Sequence, residues 1–230
     1  MTPAPATPPR GIIFDMDGVL VDSEPFICEA AMRMFELTYG QVVRREDFAP
    51  FVGAGEDRFI GGVAAKYGVT LSMPRDKFRT YEIYLELIRG RLDPLPGAVD
   101  FVREVRRRGL KAALATSADR VKMEGNLREI GLSPADFDAV VTGDDVARKK
   151  PDPQIFQLTA SRLDLPPAEC LVIEDAVNGV AAAKAARCCC LALTSSFNEQ
   201  TLREAGADLV ARDLAHVPQE ILAAMSATGP

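Results

Sequence analysis

Hydrophobic and polar positions alternate along this chain in two rhythms. Short, largely apolar runs recur at residues 11–14, 111–115, 139–141, 170–173 and 188–193. Most of them stop at a polar residue: Asp15, Thr116, Thr142, Glu174 and Thr194. Continuous apolar runs of this length predict strands buried on both faces. Between them the period lengthens to that of a helix. Residues 98–108 place Phe101, Val102 and Val105 on one face, 153–163 do the same with Ile155, Phe156 and Thr159, and 176–186 are alanine-rich. This alternation of strand and helix predicts an α/β fold with a doubly wound parallel sheet, Rossmann-like in plan. A short strand at 209–210 and a helix at 217–225 are expected to close it.

One interval breaks the rhythm. About 95 residues separate Asp15 from Lys111, whereas a crossover between parallel strands needs only about a dozen. Three stretches in that interval carry helical stripes. These are Ile27, Ala31, Met34 and Phe35 within 26–40, then Phe59, Ile60, Val63, Ala64 and Tyr67 within 58–68. The third is Phe78, Tyr81, Tyr84, Leu85, Ile88 and Leu92 within 77–92. The expected division is a disordered tail at 1–9, an α/β core at 10–23 and 93–230, and an inserted helical domain at 24–92. That insert leaves and rejoins the core beside Asp15, a placement suited to a lid. Pro94, Pro96 and Gly97 mark its return hinge.

Composition narrows the function classes. The chain has 230 residues, 47% hydrophobic and 26% charged, with a net charge of −6. That balance argues against nucleic acid or an anionic membrane as partner, and no apolar run approaches the ~20 residues of a membrane span. The expectation is a soluble, cytoplasmic monomer. Of the five cysteines, Cys188, Cys189 and Cys190 are consecutive, so they suit neither a disulfide framework nor a common metal and read as small apolar residues. His216, the single histidine, lies far from the other polar clusters and is given no catalytic role.

The chemistry is expected where the strands end. Asp15 and Asp17 follow the first run, Thr116-Ser117-Ala118 the second, Lys149-Lys150-Pro151 precedes a helix, and Glu174-Asp175 follows the fourth run. In a parallel sheet these clusters share one edge, where ligands bind. Asp15, Glu174 and Asp175 are hard oxygen ligands that suit Mg²⁺. Without a cation each close pair would repel by about 4 kcal/mol at an effective dielectric of 20. A lysine and a hydroxyl beside such a cation make a phosphate cradle. One aspartate could attack phosphorus and the other move the proton.

The motifs then carry a resemblance. The segment from Phe14-Asp15-Met16-Asp17-Gly18 to Ser23-Glu24 resembles the first motif of the haloacid dehalogenase superfamily. Leu114-Ala115-Thr116-Ser117-Ala118, Lys150-Pro151-Asp152-Pro153 and Val172-Ile173-Glu174-Asp175 resemble the second, third and fourth, in order, across about residues 10–222. The helical insert resembles the C1 cap of the β-phosphoglucomutase-like branch. The cap stretch from Asp47 to Ala64, with Ser117 to Lys122, is similar to the corresponding domain of plant suppressor-of-quenching proteins.

The resemblance implies a role for each matching residue. Asp15 would be nucleophile and Mg²⁺ ligand, and Asp17 the general acid/base that lends its carbonyl to the metal. Thr116, with the amides of Ser117 and Ala118, would hold the phosphoryl oxygens. Lys150 would bridge phosphate and nucleophile, and Glu174 and Asp175 would complete the metal site. The implied activity is a Mg²⁺-dependent phosphatase acting on a small phosphorylated metabolite, a sugar phosphate among the candidates, through an aspartyl-phosphate.

Two positions depart from the mutase pattern of that branch: Ile27 stands where a histidine follows the first motif, and Glu56 falls near the cap arginine that grips a second phosphate. Both favour hydrolysis. A phosphosugar mutase and a non-catalytic phosphate-binding module remain as alternatives. Glu56 and Arg58 are candidate substrate selectors on the cap loop, with a solvated charged turn as the other reading. Lys149 is expected in solvent, and Asn178 either orients Asp175 or caps its helix.

Overall fold

A computed structural model describes residues 8–51, 55–217 and 219–225 of the chain. Its six strands are β1 (Gly11–Phe14), β2 (Lys111–Ala115), β3 (Ala139–Val141), β4 (Cys170–Glu174), β5 (Cys189–Leu193) and β6 (Leu209–Ala211). They form one sheet in the order β3-β2-β1-β4-β5-β6, every neighbouring pair parallel. The chain therefore runs outward from β1 in one direction, returns, and runs outward from β4 in the other. Loops leaving β1 and β4 diverge at the carboxyl edge, which opens a crevice between them.

Period-two alternation assigns the two faces of the sheet. Ile12, Phe14, Leu114, Ile173 and Leu191 face a layer containing α4 (Ala98–Arg107), α5 (Arg120–Glu129) and α9 (Gln219–Ala224). Phe14 meets Phe101 and Phe137 edge-on, with ring centroids 6.1 and 6.3 Å away. Ile13, Ala113, Val172 and Cys190 face α6 (Gln154–Arg162), α7 (Val177–Ala185) and α8 (Glu199–Glu204). The parallel sheet flanked by helices agrees with the doubly wound α/β fold read from the sequence. Helices α5 and α8, and a 3-10 segment at Arg45–Phe51, carry no clear apolar stripe and were not anticipated.

Between β1 and α4 the chain forms α1 (Glu24–Tyr39), α2 (Glu56–Tyr67) and α3 (Arg75–Ile88). Their buried stripes include Met34 and Phe35 of α1, Ile60 and Val63 of α2, and Tyr84 and Ile88 of α3. Phe48 and Phe59 stack at 4.7 Å between centroids, which ties the 3-10 segment to α2. Gly40 ends α1 at φ +63°, and its N–H donates to the Glu36 carbonyl at 2.9 Å, a left-handed cap that glycine adopts without steric cost. The segments entering and leaving this helical layer lie side by side: the Leu95 N–H donates to the Leu20 carbonyl at 2.9 Å, and Val21 bridges Pro94.

The expected tail lies outside the described residues as far as Thr7. Pro9 is already buried, and Arg10 pairs with Glu169 at 2.9 Å. All five cysteines are free. Cys188 and Cys190 are buried and Cys189 is half-buried, and burial pushes the Cys170 thiol up to about 11. His216 sits in a surface turn, its Nδ1 2.7 Å from Asp213. Among the described residues no helix is long and apolar enough to cross a membrane.

Candidate active site

The crevice is floored by the residues that follow β1 and β4. The Asp15 N–H donates to the Ile173 carbonyl at 2.9 Å, continuing the β1–β4 ladder by one residue. That places the side chains of Asp15, Glu174 and Asp175 together, each offering an oxygen within 4.8 Å of the others. Lys150, before α6, donates to Asp15 Oδ1 at 2.7 Å and to Glu174 Oε1 at 2.5 Å. All four side chains are buried. Burial pushes the Asp15 carboxyl up to about 7, opposed by Lys150 and reinforced by Glu174. Burial also pushes Asp175 up to about 8, reinforced by Glu174 and Asp15. Burial alone would lower Lys150, but Asp15 and Glu174 hold it above the ordinary lysine value. Three carboxylates around one ammonium leave an excess of negative charge in a dry place. Hard oxygen donors in that imbalance fit a divalent cation such as Mg²⁺.

Two glycines make room for these acids. A Cβ on Gly18, at φ +77°, would fall 1.8 Å from Asp175 Oδ2, and one on Gly179 would fall 2.0 Å from Glu174 Cδ. Amides of Asp175 and Ala176 donate to Glu174 Oε2 at 3.1 and 3.3 Å. Ser196, in the loop after β5, donates to Asp175 Oδ2.

The β2 end forms the adjacent wall. Thr116 is buried, its N–H donating to the Val141 carbonyl at 3.0 Å and its Oγ1 accepting from the Ala118 N–H at 3.1 Å. Ser117 and Ala118 also line the cavity. Lys149 is half-buried and donates to the Gly143 carbonyl at 2.7 Å. The expectation of a solvated side chain is corrected: the turn after β3 supplies a carbonyl within its reach.

A second ion cluster sits above the first. Asp17 accepts from Ser23 and from Lys122 Nζ, the latter at 2.8 Å. Lys122 lies on α5, is buried, and is also 3.4 Å from Glu56 Oε1 at the start of α2. Burial would depress this ammonium, but Asp17 and Glu56 hold it above the ordinary range. Burial raises the Glu56 carboxyl, with Lys122 opposing. Together these residues enclose a cavity of about 250 Å³. Ile27, Phe51 and Phe59 give it an apolar wall opposite the acids. Glu56 lines it, whereas Arg58 is exposed and outside the lining, so the two candidate selectors are not equivalent. Asn178 is exposed at the rim and donates nothing to Asp175 among the described contacts. Lys122, Ser23 and Ser196 were not singled out from the sequence; a lysine on a helix without an apolar stripe was the one signal available.

A parallel α/β sheet whose switch point gathers a buried acid triad, a lysine and a threonine is an arrangement suited to phosphate and divalent-metal chemistry. Comparison with known proteins agrees. Residues 9–187 match the sequence profile of the haloacid dehalogenase-like hydrolases, and the chain belongs to that family. It is 42% identical over 209 residues to SUPPRESSOR OF QUENCHING 1, chloroplastic, of Arabidopsis thaliana, covering 90% of this chain but a fifth (20%) of that protein. It is 33% identical over 215 residues to a phosphorylated carbohydrates phosphatase of Thermotoga maritima, covering 93% and 96% of the two chains. Among solved structures it resembles CbbY of Rhodobacter sphaeroides in complex with phosphate, at TM-score 0.79, 28% identity, and 90% and 95% coverage. A variant of the same protein bound to xylulose-(1,5)bisphosphate aligns at TM-score 0.78, 27% identity and the same coverage.

Proposed function

We propose that this chain is a Mg²⁺-dependent phosphomonoesterase for a small phosphorylated metabolite, a sugar phosphate in the first instance. The observation that carries this reading is Lys150 bridging Asp15 and Glu174 on the floor of the cavity, with Asp17 on its wall. The name of the Thermotoga maritima relative supports the same substrate class.

In this mechanism an Asp15 oxygen attacks phosphorus, and the new O–P bond forms as the ester O–P bond breaks. Asp17 gives its proton to the departing alcohol oxygen, then takes one from the water that attacks the aspartyl-phosphate and frees Asp15. Lys150 orients Asp15 and meets a phosphoryl oxygen, while the Thr116 hydroxyl and the Ser117 amide donate to the others, joined by the Ala118 amide once it leaves Thr116 Oγ1. Mg²⁺, held by Asp15, the Asp17 carbonyl, Glu174 and Asp175, would neutralise charge on the transferring group. Positioning and electrostatics supply most of the rate. The helical layer, residues 24–92, acts as a cap that excludes bulk water while the ester is bound.

The test is phenyl phosphate hydrolysis by the purified protein. Release of phosphate with Mg²⁺, its loss in chelator and its abolition by Asp15→Asn are expected. Undiminished turnover by Asp15→Asn would remove the assigned nucleophile. Isomerisation of a sugar phosphate without net phosphate release would favour the mutase, and phosphate binding without turnover the regulatory module.

A further inference from the structure

The cavity wall opposite the acid triad has an electrostatic character of its own. Counting every described lining residue, seven carboxylates face two lysines, and no arginine is present. Both lysines are committed. Lys150 lies between Asp15 and Glu174, and Lys122 lies between Asp17 at 2.8 Å and Glu56 at 3.4 Å. Once one phosphoryl group occupies the floor, no further cation among the described lining residues is free to receive a second anion.

Glu56 sharpens this. It is 7% exposed, it lines the cavity, and its Oε2 has no hydrogen-bond partner among the described residues. The buried Tyr81 hydroxyl lies beside Glu56 and Asp119, close enough to interact with both carboxylates, without a well-formed hydrogen bond to either. A sealed carboxylate oxygen without a donor is unfavourable. Its terminal torsion is soft, so a small turn presents that oxygen to a ligand hydroxyl, and the carboxylate can accept several donors. Ile27, Phe51 and Phe59 supply apolar faces for a carbon skeleton. A cavity of about 250 Å³ lies near the small end of the roughly 300–1,000 Å³ typical of ligand pockets.

We propose that Glu56 makes this site selective for monophosphate esters of small, neutral, polyhydroxylated alcohols. It accepts a hydroxyl of the alcohol half and repels a second phosphate or carboxylate there. The inference rests on the phosphatase reading of the same site. It separates this chain from proteins of the fold that accommodate a bisphosphate, since the fold supplies the phosphate floor and the cap residue decides what may stand above it.

The test compares three esters on the full chain with Mg²⁺: fructose 6-phosphate, fructose 1,6-bisphosphate and phenyl phosphate. In the wild type, kcat/KM for the monophosphate should exceed that for the bisphosphate by at least about 10-fold. Glu56→Gln, which keeps shape and one acceptor but removes the charge, should compress that ratio. Glu56→Ala should lower kcat/KM for fructose 6-phosphate about 10- to 100-fold more than for phenyl phosphate, the loss of one charge-assisted hydrogen bond. Equal use of mono- and bisphosphate by the wild type, an unchanged ratio in Glu56→Gln, or equal losses on both monoesters in Glu56→Ala would each overturn the proposal. So would phenyl phosphate turnover with no hydrolysis of fructose 6-phosphate, which leaves the phosphatase reading standing. Failure to hydrolyse even phenyl phosphate would remove that reading and this inference with it.

Discussion

Gly179→Ala isolates the acid triad from the fold that carries it. Gly179 lies in the first turn of α7, and an added Cβ would sit 2.0 Å from Glu174 Cδ and Oε1 and 2.2 Å from Oε2. Ordinary contact begins near 3.4 Å, so the Glu174 carboxylate must retreat by more than about 1 Å. That retreat breaks its 2.5 Å contact with Lys150 and its bonds from the Asp175 and Ala176 amides. The backbone is already helical there, and alanine for glycine inside a helix favours folding by up to about 1 kcal/mol. Lost hydrogen bonds to a charged group cost about 1.5–3 kcal/mol each, so losing all three would cost roughly 4–9 kcal/mol, and the melts must show that the variant still folds. Function should not be spared. A displacement of about 1 Å in a reacting site costs on the order of 100-fold, and disturbing a metal ligand costs roughly 10- to 100-fold in affinity. Calorimetric Mg²⁺ titration, thermal melts and phenyl phosphate kinetics on one preparation separate these effects. A folded Gly179→Ala protein with wild-type Mg²⁺ affinity and kcat/KM would refute the assignment of Glu174 to the metal site.

Other outcomes follow from the same geometry. In chelator, Asp15 and Asp175 have folded-state values near 7 and 8, well above their unfolded ones. Their contribution to stability is present below about pH 4 and lost as pH rises through 7–8. The metal-free melting temperature should therefore fall between pH 5.5 and 8.5, and saturating Mg²⁺ should flatten the slope; a rise with pH in chelator would contradict the burial argument. Lys150→Met removes the one ammonium from the triad and should lower kcat by about 100- to 1,000-fold, with a Mg²⁺ titration showing whether the metal still binds. Phe14→Ala empties the space between Phe101 and Phe137 and should cost about 3–5 kcal/mol. At about 2–4 °C per kcal/mol for this size, melting should drop by roughly 6–20 °C, and a change under 2 °C would mean the core is not packed as described.

What could be read from the sequence divides along physical lines. The strands were legible because a parallel sheet buries both faces: every residue of Gly11–Phe14 and Cys170–Glu174 is buried, so the runs are apolar up to the acid, Glu174, that ends the second. The acids at their ends stood out against that background for the same reason. Helix α4 was legible because one face meets the sheet and the other meets water, which writes Phe101, Val102 and Val105 at helical spacing. Helix α5 is different. It is buried against the sheet through Met123 and Leu127, while Lys122 and Asn126 point towards Asp17 and Tyr84, so polar residues occupy inward positions. A helix whose interior face is partly polar has no stripe to detect, and its one buried lysine looks like any solvated lysine.

That illegibility has a cause in the site itself. Asp17 and Glu56 belong to segments 39 residues apart, and only the packing of α2 over the β1 loop brings them to one ammonium. Burying two such carboxylates without a cation would be costly, so whichever element faces them has to supply one. Lys122 is that cation because α5 leaves β2 directly beneath α3, where α3 and α5 pack and the Tyr84 hydroxyl donates to Asn126 Oδ1 at 2.5 Å. The first ion cluster follows from strand ends and can be anticipated from a linear pattern. The second arises from contact between two layers, and no local spacing encodes it. A substrate-facing residue at such a contact is free to differ between relatives that share the floor of the site, which is why Glu56, rather than the acid triad, is where this chain's choice of ester should be sought.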